Sequence, residues 1–119
     1  MSGPRVTAIV LTRNEAPQIR ACLATLRWAD EILVVDAMST DGTADRARAL
    51  GARVVQRPFV NFADQHNAAQ GLASHDWVLN VDADERVTPE LREEIRTALA
   101  DGGYDGYRIP HQDWMFGRW

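Results

Sequence analysis

The 119-residue chain contains no lysine, because all thirteen of its positive side chains are arginines. This absence excludes mechanisms that need a lysine amine, such as a Schiff base or the lysine of a P-loop. It also argues against a receiver-like regulatory module, which needs a lysine beside its acidic pocket. Neither glycine-rich phosphate-binding signature, G-x-G-x-x-G or G-x-x-x-x-G-K-[ST], is present.

Cysteine is almost absent as well. The single Cys22 cannot form a disulfide within the chain, and its place on the apolar face of a predicted helix indicates a small core residue. The first five residues, Met1 to Arg5, lack the long apolar stretch of a signal peptide or membrane span. We therefore expect a cytoplasmic protein.

The chain also lacks a strong charge of either sign. Its formal net charge is -4, without a run of like charges, so we expect neither nucleic acid nor an anionic membrane surface as a partner. Hydrophobic residues make up 45% and charged residues 25%, as in an ordinary globular protein. Residues 1–119 are therefore expected to form one domain around a single core.

Short apolar runs alternate with amphipathic segments along the chain. The predicted strands cover residues 6–11, 32–35, 54–55, 77–81 and 107–109. The predicted helices begin at Pro17, after Ser39–Thr43, at Asn61 and at Thr88-Pro89. This order predicts a doubly wound α/β fold of Rossmann-like type, with a mostly parallel sheet and helices on both faces.

The last six residues, Trp114 to Trp119, are strongly apolar where a chain end is usually polar. We expect another surface to cover them. The remainder of a longer chain is the favoured interpretation, and a second subunit, giving a homodimer, or the sheet itself are the alternatives.

Polar residues follow the predicted strands directly. Ligands of open α/β sheets bind at the carboxyl ends of the strands, so these residues are candidates for a site. They are Thr12-Arg13-Asn14-Glu15 after the first strand, Asp36 after the second, Arg57 near the third and Asp82-Ala83-Asp84-Glu85 after the fourth.

The turn after the fourth strand is the strongest of these signals. Its three carboxylates, from Asp82, Asp84 and Glu85, repel one another unless a cation or hydrogen-bond donors compensate. Magnesium or manganese prefers one or two carboxylates together with phosphate oxygens, which fits a site for a nucleotide diphosphate. The alternative is a solvated acidic loop that caps the next helix.

The other candidates have weaker signals. Asp36 could accept a hydrogen bond from a base or a ribose, or it could cap the turn that follows it. Arg13 and Arg57 could hold phosphate or lie on the surface, and Gln65 and Asn67 could reach the ligand from a helix. Ser39–Thr43 is interpreted as structural capping, and the three histidines show no metal-ligand spacing: His66, His75 and His111.

Four segments, in this order, resemble the family 2 glycosyltransferases of GT-A fold. They are Ile9-Val10-Leu11-Thr12-Arg13-Asn14-Glu15, Val34 to Thr43, Phe62 to Asn67, and Leu79-Asn80-Val81-Asp82-Ala83-Asp84-Glu85. The segment Thr12-Arg13-Asn14-Glu15 and the C-terminal residues Gly106 to Trp119 look most similar to the corresponding segments of enzymes that add hexoses to the lipopolysaccharide core.

The resemblance implies an inverting, metal-dependent transfer of a hexose from a UDP-sugar type of donor to a saccharide or glycolipid acceptor. It implies that Thr12 and Asp36 contact the uridine, that Asp82 contacts the ribose or the metal, and that Asp84 binds the metal. The expected nucleotide-binding set is Thr12, Arg13, Asn14, Glu15, Asp36, Arg57, Gln65, Asn67 and Asp82, and the metal ligands are Asp82 and Asp84. A lipopolysaccharide acceptor would place the enzyme at the inner face of the membrane.

Two departures from the family pattern stand out. Family members usually carry Ser-Gly or Asp-Gly where this chain has Ala37-Met38, and they are substantially longer. The resemblance places the general base beyond Trp119, so we expect a truncated, nucleotide-sugar-binding portion without its acceptor-binding region. The alternatives are a non-catalytic nucleotide- or metal-binding fragment and a self-associating α/β module.

Overall fold

The computed structural model describes residues 5–75, 77–101, 106–109 and 114–118. Strands and helices alternate through most of this part of the chain. The elements are β1 Val6–Thr12, α1 Ala16–Ala24, β2 Glu31–Asp36, α2 Thr43–Ala49, β3 Arg53–Gln56, α3 Phe62–Leu72, β4 Trp77–Asp82, α4 Pro89–Asp101, β5 Gly106–Ile109 and β6 Trp114–Arg118.

The strands form one sheet in the order β3-β2-β1-β4-β6-β5. Strands β1 to β4 are parallel to one another, whereas β6 runs antiparallel to both β4 and β5. The predicted α/β fold with a mostly parallel, Rossmann-like sheet is confirmed. Each of the four parallel strands continues one residue beyond its predicted apolar run and ends on a polar residue: Thr12, Asp36, Gln56 and Asp82.

Both faces of the sheet carry an apolar core, because side chains alternate between the faces along each strand. On one face Ala8, Val10, Val34 and Leu79 pack with residues of α1, α2 and α4, Ile95 among them. On the other face the strands pack against α3, where Ile9, Leu33, Val35 and Val78 form a core cluster with Ala69. Helices on both sides of the sheet make the fold doubly wound.

Cys22 lies in the core on the α1 side and is fully buried. Burial raises the pKa of its thiol from 9.0 to about 12, so almost no thiolate is present near neutral pH. The prediction of a core residue is confirmed.

Most of the C-terminal apolar segment forms a strand of the sheet, because the backbone of β6 pairs with β4 on one side and with β5 on the other. The expectation that the remainder of a longer chain covers the apolar side chains of this segment stays a prediction. β6 had not been predicted as a strand, and a homodimer through this segment stays a prediction. Among the helices that the structure describes, none combines the length and apolar character needed to cross a membrane.

Candidate nucleotide-binding site

A cleft of about 460 Å³ opens at the carboxyl end of the parallel strands. Its walls come from the ends of β1, β2 and β4, from the β3–α3 connection and from α3. The lining residues are Leu11, Thr12, Arg13, Glu15, Ala37, Phe59, Phe62, Gln65, Asp82, Ala83 and Asp84.

The register of the sheet brings the polar strand ends together. Strand β1 is central, with Thr12 paired beside Asp36 of β2 and Leu11 paired beside Asp82 of β4. Residues that are far apart in the chain therefore emerge at one edge of the sheet, where parallel-sheet proteins bind their ligands.

The turn between β1 and α1 is held by side chains of the loop after β2. Three successive backbone N–H groups of this turn donate to those side chains, which satisfies donors that have no partner within α1. The bonds run from Asn14 N to Ser39 Oγ (2.7 Å), from Glu15 N to Thr43 Oγ1 (2.9 Å) and from Ala16 N to Asp41 Oδ2 (3.0 Å). The structural role expected for Ser39–Thr43 is present, and it serves both the neighbouring turn and α2, because the first N–H of α2, that of Thr43, donates to Asp41 Oδ1 at 3.1 Å.

Asp36 is fully buried and accepts four hydrogen bonds. Its Oδ1 accepts from the hydroxyls of Thr12 (2.6 Å) and Ser39, and its Oδ2 accepts from Ser39 N (2.8 Å) and Gln56 Nε2 (3.1 Å). Burial raises the pKa of this carboxyl, but the bonds from Ser39, Thr12 and Gln56 outweigh burial, and the net pKa is lowered.

This geometry differs from the expected contact of Asp36 with a base or a ribose. Its two oxygens are already saturated, since a carboxylate offers about four acceptor positions. The residue lies behind Thr12, which lines the cleft. Asp36 therefore orients the Thr12 hydroxyl and closes the turn that follows β2.

Met38 occupies the left-handed backbone region with a φ of 57° and is 53% exposed. This is the position where the family usually has glycine, and a side chain is strained there. We expect Met38→Gly to raise the free energy of unfolding by about 1 kcal/mol, measured by urea denaturation. Met38→Ala keeps the Cβ and serves as the control, so an equal gain in both variants would contradict this explanation.

The carboxylates of the acidic turn after β4 differ in their exposure and in their hydrogen bonds. Asp82 and Asp84 are exposed and line the cleft, and within the described residues neither carboxylate has a hydrogen-bond or ion-pair partner. Glu85 instead turns back and accepts from Asp82 N at 2.9 Å. Arg86 is directed away, donating to the Ala83 carbonyl and to the side chain of Gln18.

The Asp82 and Asp84 carboxylates fit a hard divalent cation. In the part of the chain that the structure describes, no group of three or more His, Cys, Asp and Glu side chains could hold a metal by itself. Magnesium and manganese sites of this kind take one or two carboxylates and complete the shell with phosphate oxygens and water. A cation held by these two carboxylates would therefore need further oxygen ligands, such as those of a phosphate or of water.

Arg57 supports the cleft from behind and does not line it. Its Nη1 donates to Asp64 Oδ2 (2.8 Å) and to Gln65 Oε1 (3.0 Å). Gln65 is 1% exposed and forms part of the cleft wall. Asp64 is held in turn by the start of α3, where its backbone N–H donates to Asn61 Oδ1 at 2.8 Å.

The structure therefore brings together six of the ten predicted site residues in one cleft: Thr12, Arg13, Glu15, Gln65, Asp82 and Asp84. Four others do not line it: Asn14, Asp36, Arg57 and Asn67. Sequence reasoning missed Phe59 and Phe62, whose rings pack edge to face at 5.1 Å and remain 39% and 69% exposed. The available signal was two aromatic residues beside the Asn61 helix cap, in a segment next to a strand end.

Comparison with known proteins agrees with this architecture. The sequence model of glycosyl transferase family 2 matches residues 7–118. An uncharacterized glycosyltransferase of Rickettsia bellii is 40% identical over 104 residues, which cover 87% of this chain and 35% of that protein. The lipopolysaccharide core biosynthesis glycosyltransferase LpsC of Rhizobium meliloti is 30% identical over 118 residues, covering 94% of this chain and 44% of LpsC. The chain thus spans less than half the length of these relatives.

Solved structures give the same result. The mannosyltransferase PcManGT from Pyrobaculum calidifontis, in complex with GDP-Man and Mn²⁺, has a TM-score of 0.78 at 25% identity and matches 99% of this chain and 45% of its own. Glucosyl-3-phosphoglycerate synthase from Mycobacterium tuberculosis, in complex with Mn²⁺, UDP and glucosyl-3-phosphoglycerate, has a TM-score of 0.59 at 25% identity, over 71% of this chain and 36% of its own. The fold is of the GT-A type, and the chain belongs to glycosyl transferase family 2.

Proposed function

We propose that this chain is the nucleotide-sugar-binding portion of an inverting glycosyltransferase that uses a divalent metal. The observation that carries the proposal is the pair of exposed carboxylates, Asp82 and Asp84, without a cationic partner among the described residues, in a cleft that also holds Arg13. Carboxylates placed in this way favour a cation and, through it, a diphosphate.

The roles of the cleft residues follow from their positions. Asp82 and Asp84 would hold Mg²⁺ or Mn²⁺, which supplies charge neutralisation for a departing diphosphate. Arg13 offers a guanidinium for phosphate oxygens, and Thr12 and Gln65 offer hydrogen-bonding groups for the nucleoside. Three residues outside the cleft wall hold these groups in place. Asn14 holds the turn after β1. Asp36 holds the Thr12 hydroxyl, and Arg57 holds the Gln65 amide.

Two further residues of the predicted set, Glu15 and Asn67, belong to the proposal. Glu15 lines the cleft as a third carboxylate, and its backbone N–H donates to Thr43 Oγ1. We therefore include Glu15 in the nucleotide-binding wall without naming a specific partner for its carboxylate. Asn67 lies on α3 and is exposed outside the described cleft wall. Its contact with the nucleotide stays a prediction made from its place on the helix.

The donor and the acceptor are also part of the proposal. The two similar structures carry GDP-mannose and UDP, which supports a nucleotide-diphospho-hexose donor for this chain, with UDP as the expected nucleotide. The similarity to LpsC supports a saccharide or lipopolysaccharide-core acceptor. We propose that residues outside this chain bind that acceptor and supply the general base, and that the enzyme works in the cytoplasm at the inner face of the membrane.

Calorimetric titration of the chain with UDP tests the proposal. We expect binding in the presence of MnCl₂ and at least about tenfold weaker binding when EDTA replaces the metal, a difference of about 1.4 kcal/mol. ADP-ribose, which also has a diphosphate, controls for attraction to the phosphate charge alone. Absence of UDP binding under both conditions would overturn the proposed function.

A further inference from the structure

The acidic turn after β4, Asp82-Ala83-Asp84-Glu85, is closed by two hydrogen bonds between its ends. Glu85 N donates to the Asp82 carbonyl, and Asp82 N donates to Glu85 Oε1, both at 2.9 Å. The backbone N–H and the carbonyl of Asp82 are therefore both bonded to Glu85. Because Asp82 and Asp84 belong to this closed turn, its backbone determines how far apart their side chains begin.

Arg86 adds a second set of bonds to the same turn. Its Nη1 donates to the carbonyls of Ala83 and Glu85, both at 2.9 Å, and its Nη2 donates to Gln18 Oε1 at 2.6 Å. A planar guanidinium presents its donors in a fixed geometry, so one side chain can hold two carbonyls and a third group together. Gln18 lies on α1, and Arg86 thus ties the acidic turn to that helix.

α1 holds the same segment at two further points. Cys22 Sγ donates to the Asp82 carbonyl at 3.6 Å, and Val87 N donates to Thr25 Oγ1 at 3.0 Å. The thiol is able to donate because its raised pKa keeps it protonated. Gln18, Cys22 and Thr25 follow the i, i+4, i+7 spacing that places side chains on one face of a helix. One face of α1 therefore holds the acidic turn near both of its ends.

The charge of Arg86 by itself would act against a cation at this turn. Like charges repel, so a guanidinium near Asp82 and Asp84 lowers the affinity of their carboxylates for a divalent metal. Arg86 does not line the cleft, and within the described residues no ion pair joins it to either carboxylate. Any support that Arg86 gives to metal binding must therefore come from its hydrogen bonds, and the two effects have opposite signs.

We propose that Arg86 is a positioning residue, which holds the acidic turn in the geometry that binds a divalent metal. α1 begins directly after the turn that carries Arg13, so the bond to Gln18 also links the carboxylates to that wall of the cleft. Replacing a residue that orients metal ligands typically costs about 10- to 100-fold in metal affinity. This inference rests on the proposed function, since it assumes that Asp82 and Asp84 bind the metal.

The test measures how much MnCl₂ strengthens the binding of UDP, as the ratio of the dissociation constants in EDTA and in MnCl₂. Arg86→Gln should reduce this ratio at least about tenfold, because the turn loses its bonds to the guanidinium. Arg86→Lys keeps the charge but replaces the fork of donors by a single nitrogen, so it should also reduce the ratio. An effect of charge alone would instead raise the ratio in Arg86→Gln and leave it unchanged in Arg86→Lys.

Two further variants separate positioning from charge and from folding. Arg96→Gln removes the same charge from an exposed position on α4 and should leave the ratio unchanged. Gln18→Met removes the anchor on the exposed side of α1 and should reduce the ratio, though by less than Arg86→Gln, because the bonds from Arg86 to the two carbonyls remain. Thermal melting verifies that each variant is folded, and a merely structural role would lower the melting temperature without changing the ratio.

The outcomes distinguish the two proposals. A folded Arg86→Gln chain with an unchanged or raised ratio would overturn the positioning role while the proposed function stands. If Arg86→Gln does not fold, Gln18→Met decides, and an unchanged ratio in that variant would overturn the positioning role. A wild-type chain that binds UDP equally in EDTA and in MnCl₂, or not at all, would overturn both proposals.

Discussion

Replacing Asp84 with alanine is expected to weaken Mn²⁺-dependent binding of UDP by at least about 100-fold, equivalent to about 2.7 kcal/mol. Asp84 is exposed on the cleft wall, and no described residue partners its carboxylate, so the substitution should leave the fold intact. A hard cation held by only two protein carboxylates loses half of its protein ligands with this change. Calorimetric titration at saturating MnCl₂ measures the effect.

Two comparisons make this result specific. In EDTA the variant and the wild type should bind UDP equally weakly, because the Asp84 contribution requires the metal. Asp45→Ala removes an exposed aspartate of α2, outside the cleft, and should bind UDP as the wild type does. Unchanged affinity of the Asp84 variant with the metal present would exclude this carboxylate as a metal ligand.

The parallel part of the fold could be predicted from the sequence because its signals are local. Runs such as Val6–Leu11 and Trp77–Val81 are apolar on both faces, and amphipathic segments lie between them. The predicted strands ended one residue early because the apolar runs stop there, whereas pairing in the sheet extends to Thr12, Asp36 and Asp82. Those polar end residues are the ones that form or support the cleft.

Strand β6 was missed for a different reason. Its five residues include Gly117 and show no alternation of polar and apolar side chains, so the sequence contains no strand period there. Its strand structure depends on pairing with β4, a contact made across more than thirty residues of chain. The apolar character was visible in the sequence, but the strand with which β6 pairs was not.

The candidate site was predictable in its polar cleft-lining residues, but neither in its aromatic pair, Phe59 and Phe62, nor in the roles of the residues behind the cleft wall. Asp82 and Asp84 were recognisable because adjacent carboxylates need compensation, and position after a strand places them at the binding edge. The roles of Asp36 and Arg57 depend on which donors and acceptors surround them after folding. A residue type alone does not distinguish a group that binds ligand from one that orients its neighbour.

The loop after β2 shows how stability and the site are coupled. Side chains of Ser39 and Thr43 hold the turn that carries Arg13, and Asp36 holds both Ser39 and the Thr12 hydroxyl. A change at Asp36 therefore disturbs two walls of the cleft together. For this reason its effect should be seen first in the stability of the whole chain.

Asp36→Ala is expected to lower the free energy of unfolding at pH 7 by about 3 kcal/mol. This loss is large, because the free energy of unfolding of a typical domain is roughly 5–15 kcal/mol. The substitution leaves Thr12 Oγ1, Ser39 N and Gln56 Nε2 without their acceptor at a fully buried position. Urea denaturation followed by circular dichroism measures the loss. Asp45→Ala, which removes a mostly exposed ion pair with Arg48, should change stability by less than about 0.5 kcal/mol.

The pH dependence separates a lost carboxylate from lost packing. Because the folded-state pKa of Asp36 is lowered, its contribution is complete above the ordinary carboxylate pKa of about 3.9 and is lost as the pH falls through the lowered value. The stability difference between wild type and Asp36→Ala should therefore be largest near neutral pH and shrink in acid. A difference that stays constant down to the pH of acid unfolding would assign the loss to side-chain packing, and the hydrogen-bonded carboxylate would no longer explain how the Thr12 side of the cleft is held.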